Sequence, residues 1–322
     1  MADSSNKRKR TSSVEDVLQH SCHDEDFLDS RPNKKERKQK TPLEDIDPLP
    51  PVPSTSRHLP IAIGGSHWRD YRSFENIVVM GDSYSKSNDS KTWVSYIRRD
   101  ANFDLFNYTI IKADHLTRRL EKKYKQPQTY NFAFPGATAE HDLSSQLTRF
   151  FTSFPKKDSP KSAPLLNPDS TTYLLFFGIN DCGSNDSDDL ETIVETVFDA
   201  IHDLYVKAGA RNFIIVDVPP VDRSPQALDS ESSAEMEERV RTWNDLLRTQ
   251  ATEFGTSSKE ATVLLFSSHQ VLMEVLEDPC EFGFSEDDPD TEAAGIWEDD
   301  LHLTTDVHDH LAERLLGSVI SS

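Results

Sequence analysis

The chain has 322 residues, of which 35% are hydrophobic and 28% are charged, and its formal net charge at pH 7 is −21. Residues 1–60 contain 11 Lys/Arg and 11 Asp/Glu, so the whole negative excess belongs to residues 61–322. A surface of this sign repels phosphate backbones and anionic membranes at long range, which makes nucleic acid a poor substrate candidate and favours a neutral substrate.

Cysteine usage and apolar runs predict the compartment. Cys22, Cys182 and Cys280 are odd in number and widely spaced, which predicts neither a disulfide framework nor a metal-binding knuckle. The N-terminus lacks the apolar stretch of a signal peptide, and no run of about 18 apolar residues occurs. These features predict an intracellular protein, cytoplasmic or nuclear, without a membrane span.

Residues 1–65 have the composition of a disordered N-terminal tail. They are rich in Ser, Lys, Asp, Glu and Pro, and they contain too little apolar surface to offset the entropy of ordering. Two basic clusters lie in this tail, one from Lys7 to Arg10 and one from Lys34 to Lys40. Clusters of this type suit the acidic grooves of nuclear import receptors, and the alternative interpretation is an ordinary solvated charge run.

Residues 66–322 have the pattern of a single α/β domain. Short apolar runs, typical of buried strands, alternate with longer amphipathic stretches at 190–208 and 236–254, which predict covering helices. This alternation is characteristic of a parallel sheet covered by helices. The predicted strands lie at 76–80, 130–134, 172–177, 212–218 and 262–266.

A serine follows the first predicted strand. The strand ends in Gly81-Asp82-Ser83-Tyr84, which puts Ser83 at the carboxyl edge of the sheet, where open α/β folds bind their ligands. Glycine at position 81 lets the backbone approach a reacting group closely. Taken alone, the triplet is more typical of a turn or a helix cap, in which Asp and Ser are common.

Two later strands lead into hydrogen-bond donors at the same edge. Gly136 follows the strand at 130–134, and its amide can donate, whereas Asn180 follows the strand at 172–177 and carries an uncharged NH₂ group. Serine chemistry needs such donors, because each accelerates the reaction roughly 10²–10³-fold when it is aimed at the oxyanion. Separately, either residue fits an ordinary turn after a strand.

A histidine near the C-terminus supplies a candidate base. Asp299 precedes His302 by three residues, a spacing at which the carboxylate can bind Nδ1–H and leave Nε2 as the base. Asp300 competes with Asp299 for this orienting role. His308 and His310 raise a metal-ligand alternative, although both lie in a predicted amphipathic helix.

The order Ser, Gly, Asn and Asp-x-x-His at the ends of successive strands resembles the SGNH/GDSL hydrolase family. Within that family the chain is most similar to the fungal acetylesterases of carbohydrate esterase family sixteen. The resemblance covers about 72–318 and rests on Gly81-Asp82-Ser83-Tyr84 with Thr92-Trp93-Val94, on FPGAT at 134–138, on FGIND at 177–181 and on the stretches 218–225 and 272–284.

The resemblance implies both a fold and a set of roles. The fold is a three-layer α/β/α, flavodoxin-like arrangement with a mainly parallel five-stranded sheet. Ser83 becomes the nucleophile, His302 its base and Asp299 the partner of that base. The oxyanion hole consists of the Ser83 amide, the Gly136 amide and the Asn180 side chain, and neither a metal nor an organic cofactor is required.

The chain departs from the family at two points. Leu303 stands where the family often has Pro after the histidine, and the relatives are usually secreted, whereas this chain begins with a basic tail. The resemblance implies a serine esterase that acts on small, short-chain esters, acetyl esters above all, through an acyl-serine. The alternatives are a thioesterase or lysophospholipase with the same site, and a non-catalytic nuclear interaction protein that retains the fold.

Overall fold

The computed structural model describes residues 52–69, 74–86, 91–97, 127–155 and 166–319. Both basic clusters, and with them the predicted import-receptor site, lie outside these residues. Within them, no helix is long and apolar enough to cross a lipid bilayer.

The described residues form a six-stranded sheet with the strand order β1-β6-β5-β4-β2-β3. Strands β2 to β6 are parallel, and every residue of β4, β5 and β6 is buried, as expected for strands covered on both faces. The strands are β1 (Ile61–Ile63), β2 (Asn76–Gly81), β3 (Gln128–Asn131), β4 (Thr171–Phe176), β5 (Asn212–Val216) and β6 (Thr262–Phe266).

Helices surround the sheet. They are α1 (Trp93–Ile97), α2 (Leu143–Ser153), α3 (Ile179–Ser184), α4 (Leu190–Asp203), α5 (Pro225–Asp229), α6 (Ser233–Ser257), α7 (Ser268–Glu277) and α8 (Thr305–Val319). A π-helical turn, Leu204–Ala208, continues α4, and short 3₁₀ segments lie at Pro168–Ser170, Val221–Arg223, Pro279–Phe282 and Asp288–Asp290.

Alternating residues of the strands distribute these helices between two layers. Tyr173 and Phe213 pack against aromatic rings of α2 and α6, whereas Leu174 and Ile214 face α8 on the other side of the sheet. Successive strand residues point to opposite faces, so the helices cover both. The predicted three-layer α/β/α fold with a mainly parallel sheet is confirmed.

Strand β1 corrects two predictions, the five-strand count and the domain boundary at residue 65. It pairs antiparallel with β6, with Ile61 opposite Leu265, and the neighbouring Leu59 is fully buried. The folded unit therefore begins before residue 65. A three-residue strand is too short to show a two-residue period, and here it lies between a proline and a glycine pair, which indicate a loop.

Candidate active site

The turn that carries Ser83 is fixed at the carboxyl end of β2. Gln146, buried in α2, clamps Gly81: the Gly81 N–H donates to Gln146 Oε1 (3.0 Å), and Gln146 Nε2 donates to the Gly81 carbonyl (2.8 Å). A Cβ at position 81 would lie 2.6 Å from the carbonyl oxygen of Phe176, so only glycine fits. The turn is thus held by β4 on one side and by α2 on the other.

Three predicted residues form a continuous hydrogen-bonded chain. His302 Nε2 lies 3.0 Å from Ser83 Oγ, and His302 Nδ1 lies 2.8 Å from Asp299 Oδ2. The second carboxylate oxygen of Asp299 accepts the backbone N–H groups of Leu301 (2.9 Å) and His302 (2.6 Å). This is the geometry in which an imidazole can remove a proton from a serine hydroxyl while a carboxylate stabilises the resulting imidazolium.

The environment of Asp299 keeps it ionised. Burial acts to raise the pKa of this carboxyl, but hydrogen bonds from the His302 and Leu301 backbone and from the His302 ring outweigh burial, so the pKa lies below its ordinary value. The neighbouring Asp300 faces Gln226 instead: Gln226 Nε2 lies 3.5 Å from Asp300 Oδ2, and the Gln226 backbone N–H donates to the Asp300 carbonyl at 2.8 Å. The ring of His302 is therefore oriented by Asp299 and not by Asp300.

Gly136 lies beside the nucleophile turn. The Phe134 N–H donates to the Gly81 carbonyl (3.3 Å), which ties the loop after β3 to the turn before Ser83. Gly136 has φ of 77°, a left-handed conformation that glycine adopts without strain. Among the described residues, neither the Ser83 nor the Gly136 N–H donates a hydrogen bond, so both are available to a ligand.

Asn180 lies at the start of α3, next to the same loop. Its Nδ2 donates to the Ala137 carbonyl (3.0 Å), which uses one of its two N–H bonds and leaves the other. The preceding Gly178 has φ of 119°, and a Cβ there would lie 2.4 Å from the Trp243 ring. Trp243 therefore packs directly under the residue that positions the Asn180 amide.

Sequence reasoning missed the role of Tyr84. Its hydroxyl donates to the Leu301 carbonyl (2.7 Å), and its fully buried ring makes an edge contact with His308. A buried tyrosine hydroxyl needs a hydrogen-bond partner, and here the partner belongs to the loop that carries His302. The only signal for this contact in the sequence was the position of the tyrosine directly after Ser83.

Two buried carboxyl groups lie beneath the site. Burial raises the pKa of Asp82 to about 7, and the nearby Asp181 adds to this. Asp82 Oδ1 accepts the Tyr84 N–H (2.9 Å), whereas Oδ2 has no partner among the described residues. Asp181 instead caps the 139–140 backbone by accepting the N–H groups of Ala139 (3.0 Å) and Glu140 (3.2 Å), and burial raises its pKa.

The positions of His308 and His310 give no support to the metal-ligand alternative. His308 is buried against Tyr84, and burial, with a smaller effect from the His302 charge, lowers its pKa to about 3. His310 faces Phe282, whose carbonyl oxygen lies 3.2 Å from Nε2. Across the described ranges, no group of three or more His, Cys, Asp or Glu is arranged to hold a metal ion.

Known proteins that are similar to this chain include an acetylesterase and two solved structures. An acetylesterase from Thermothelomyces thermophilus is 28% identical over 174 residues, which are 48% of this chain and 56% of the relative, so the match spans little more than half of that protein. A candidate GDSL-like lipase from Parabacteroides merdae is 12% identical, with a TM-score of 0.46, over 77% of this chain and 96% of its own. An acetylxylan esterase from Geobacillus stearothermophilus is 13% identical, with a TM-score of 0.44, over 81% of this chain and 98% of its own.

The family assignment rests on a broader match. The family described as GDSL-like Lipase/Acylhydrolase matches residues 77–315. That range is well over half of the chain, and it contains every residue of the site described above. The resemblance inferred from the sequence is confirmed, and the chain belongs to the GDSL-like lipase/acylhydrolase family.

Proposed function

We propose that the protein is a serine esterase that hydrolyses carboxylic esters through an acyl-serine. The observation that carries this proposal is the continuous chain from Ser83 Oγ through the His302 ring to the Asp299 carboxylate, with its two contacts of 3.0 and 2.8 Å. A hydroxyl is a weak nucleophile by itself, and it attacks an ester once a positioned base accepts its proton.

The reaction proceeds in two halves at this site. Ser83 Oγ attacks the ester carbonyl carbon while its proton passes to His302 Nε2, and the tetrahedral intermediate then expels an alkoxide that takes this proton. Water next attacks the acyl-serine and gives its proton to the same nitrogen, which returns it to Ser83 Oγ as the acid leaves. Asp299 stabilises the imidazolium in both halves.

The oxyanion of each intermediate is bound by three N–H donors in this proposal. The Ser83 and Gly136 amides are free to donate, and Asn180 keeps one N–H bond in addition to the one that it gives to Ala137. The packing of Gly178 against Trp243 positions the Asn180 amide, and the loop after β3 positions the Gly136 amide. These donors are therefore in place before a substrate binds. Donors that need no rearrangement stabilise the developing charge most strongly.

Short acyl groups are the proposed substrates. The support is the acetylesterase relative, 28% identical over half of the chain. A thioesterase or a long-chain lysophospholipase would use the same residues, so chain length must be measured. We expect turnover to fall steeply from acetyl to octanoyl esters of p-nitrophenol, and a preference for the longer esters would contradict the acetyl assignment.

The nucleophile is tested by replacing Ser83 with alanine. With p-nitrophenyl acetate, Ser83→Ala should lower kcat by at least about 10³-fold, because the acyl-serine can no longer form. The matched control is Ser144→Ala, at an exposed serine of α2, which should retain wild-type turnover. Equal rates for Ser83→Ala and wild type would overturn the proposal, and absence of hydrolysis by the wild type at every acyl length would favour the non-catalytic alternative.

A further inference from the structure

A cleft that is separate from the Ser83 site lies at the same edge of the sheet. It has a volume of about 490 Å³ and opens at the carboxyl ends of β5 and β6, where Asp217 and Ser267 follow the strands. None of the residues that line it belongs to the Ser83, His302 and Asp299 chain. Strands are spaced by about 4.8 Å, so the cleft lies roughly 10–15 Å from the nucleophile turn on β2.

The walls of this cleft are anchored to the core. Helix α6 forms one wall with a polar stripe that includes Glu237 and Arg241, one helical turn apart. The other wall is the 3₁₀ segment Val221–Arg223 with the start of α7. Asn244 ties α6 to the segment after β5: it accepts the Val218 N–H and donates to the Val218 carbonyl, both at 2.8 Å, and it is buried. The cleft is thus formed before any ligand arrives.

Several charges around the cleft already have partners. Arg57 binds Glu274 (3.1 Å), and Arg248 binds Asp245 (3.3 Å). The buried Asp217 accepts the His269 N–H (2.9 Å) at the start of α7, so its carboxylate serves as a helix cap.

Two other arginine side chains at the cleft differ from these charged groups. Arg223 and Arg241 both line the cleft, and neither forms an ion pair with another residue that the structure describes. The carboxyl groups of Asp222 and Glu237 lie in the same cleft. Burial raises the pKa of Asp222, the Glu237 charge adds to this effect, and the Arg223 charge opposes it. In a chain with a net charge of −21, this cleft combines unpaired cations with hydrogen-bond acceptors.

We propose that the cleft binds a small anion that also carries hydroxyl groups, a hydroxy carboxylate or a phosphorylated polyol, at a site separate from Ser83. Arg223 and Arg241 would bind the anionic group through their planar N–H forks, and the carboxylates of Asp222 and Glu237 would accept hydrogen bonds from the hydroxyl groups. Among the described residues that line the cleft, none is Phe, Tyr or Trp, so recognition rests on charge-assisted hydrogen bonds.

Calorimetric titration of the full chain tests this proposal, with gluconate and glycerol phosphate as probes. We expect a Kd of about 1 mM or tighter for at least one probe. Arg223→Gln/Arg241→Gln should weaken binding at least about tenfold. The control is Arg149→Gln/Lys207→Gln, which removes two positive charges away from the cleft and should change Kd less than about twofold.

Further variants in the same titration test separate parts of the proposal. Ser83→Ala should bind the probes as the wild type does, because the cleft is independent of the esterase site. Glu237→Gln should weaken glycerol phosphate more than inorganic phosphate, since only the former offers alkyl hydroxyl groups. If the double variant unfolds, Arg241→Gln alone takes its place in the titration, because Arg241 is exposed and its substitution should not disturb folding. The proposal is overturned if the wild type binds neither probe, if the double variant binds equally well, or if inorganic phosphate binds as tightly as glycerol phosphate.

Discussion

Ser83 and His302 are 219 positions apart in the chain, so their 3.0 Å contact depends on residues that bring two distant loops together. Tyr84 is one of them, because its backbone follows Ser83 directly while its hydroxyl binds the carbonyl of Leu301, next to His302. The buried ring also contacts Phe176 under the sheet edge. We therefore regard Tyr84 as a positioning residue that connects the nucleophile turn to the loop of the base.

Tyr84→Phe should lower kcat about tenfold and leave KM nearly unchanged. The ring still fills its space, but the Leu301 carbonyl loses its donor, and a buried hydrogen bond of this kind contributes about 1 kcal/mol or more. A steady-state comparison with p-nitrophenyl acetate measures both constants. Tyr173→Phe is the matched control, since Tyr173 is equally buried on the opposite face of the sheet. Equal loss of kcat in both variants would mean that Tyr84 has only a packing role.

Asp82 makes stability depend on pH. Its folded pKa of about 7 lies above the ordinary 3.8 because of burial, so the folded state holds this proton more tightly than the unfolded chain. The resulting stabilisation is complete below 3.8 and is lost as pH rises through about 7.

Asp82→Asn should remove this dependence. The amide keeps an oxygen for the Tyr84 N–H and has no charge to bury. Relative to the wild type, we expect the free energy of unfolding of the variant to rise between about pH 4 and about pH 7, by on the order of 4 kcal/mol. Denaturant titrations at several pH values measure it. For the control Asp199→Asn, at an exposed position, the difference in free energy of unfolding from the wild type should not change with pH. If the difference for Asp82→Asn does not change with pH either, the prediction is contradicted.

At the level of single residues, the sequence identified candidate side chains that the structure brings into contact. Ser83 lies in the block Gly81-Asp82-Ser83-Tyr84, and His302 ends the Asp-x-x-His block. The structure brings the two residues together. What the sequence cannot resolve is the direction of neighbouring side chains. Asp299 and Asp300 are adjacent and chemically identical, and the structure distinguishes them because the Asp299 carboxylate binds His302 whereas the Asp300 carboxylate faces Gln226.

Secondary-structure elements are predictable where they are long or fully buried. The predicted helix at 236–254 lies within α6, and the predicted strand at 262–266 coincides with β6. The strand predicted at 130–134 is observed earlier, as β3 at Gln128–Asn131. The apolar residues after it leave the sheet, because Phe134 donates to Gly81 beside the nucleophile turn. Apolar composition alone does not distinguish a strand from a buried loop.

The element that sequence patterns missed, β1, yields a test by truncation. A chain that begins at residue 52 keeps β1 and the buried Leu59, so it should unfold at the same denaturant concentration as the full chain. A chain that begins at residue 66 loses both and exposes the edge of β6. We expect it to be less stable by about 3 kcal/mol or more and prone to association through that edge. Equal stability of the two truncated forms would place the boundary at 65 after all.

Taken as a whole, the molecule has an acidic surface that acts on any substrate before contact. The charge of −21 belongs to residues 61–322, and the acidic side chains far outnumber the basic ones there. Such a field changes the rate at which charged ligands arrive, and salt screens it. Arg223 and Arg241 in the cleft beside β5 and β6 act only at short range, so they offset this repulsion for an anion in contact with them and not for one that approaches the serine.

The negative potential of the protein surface should therefore discriminate between an anionic and a neutral ester of equal acyl size. We expect kcat/KM for 4-acetoxybenzoate, an anionic acetyl ester, to rise roughly threefold between about 0.01 M and about 0.1 M salt, because the screening length falls from about 30 Å to about 10 Å. The neutral p-nitrophenyl acetate serves as control and should show no such rise, since long-range electrostatic forces do not act on it. If both esters respond to salt in the same way, the effect lies in the protein's conformation, and the acidic surface has no part in selecting the substrate.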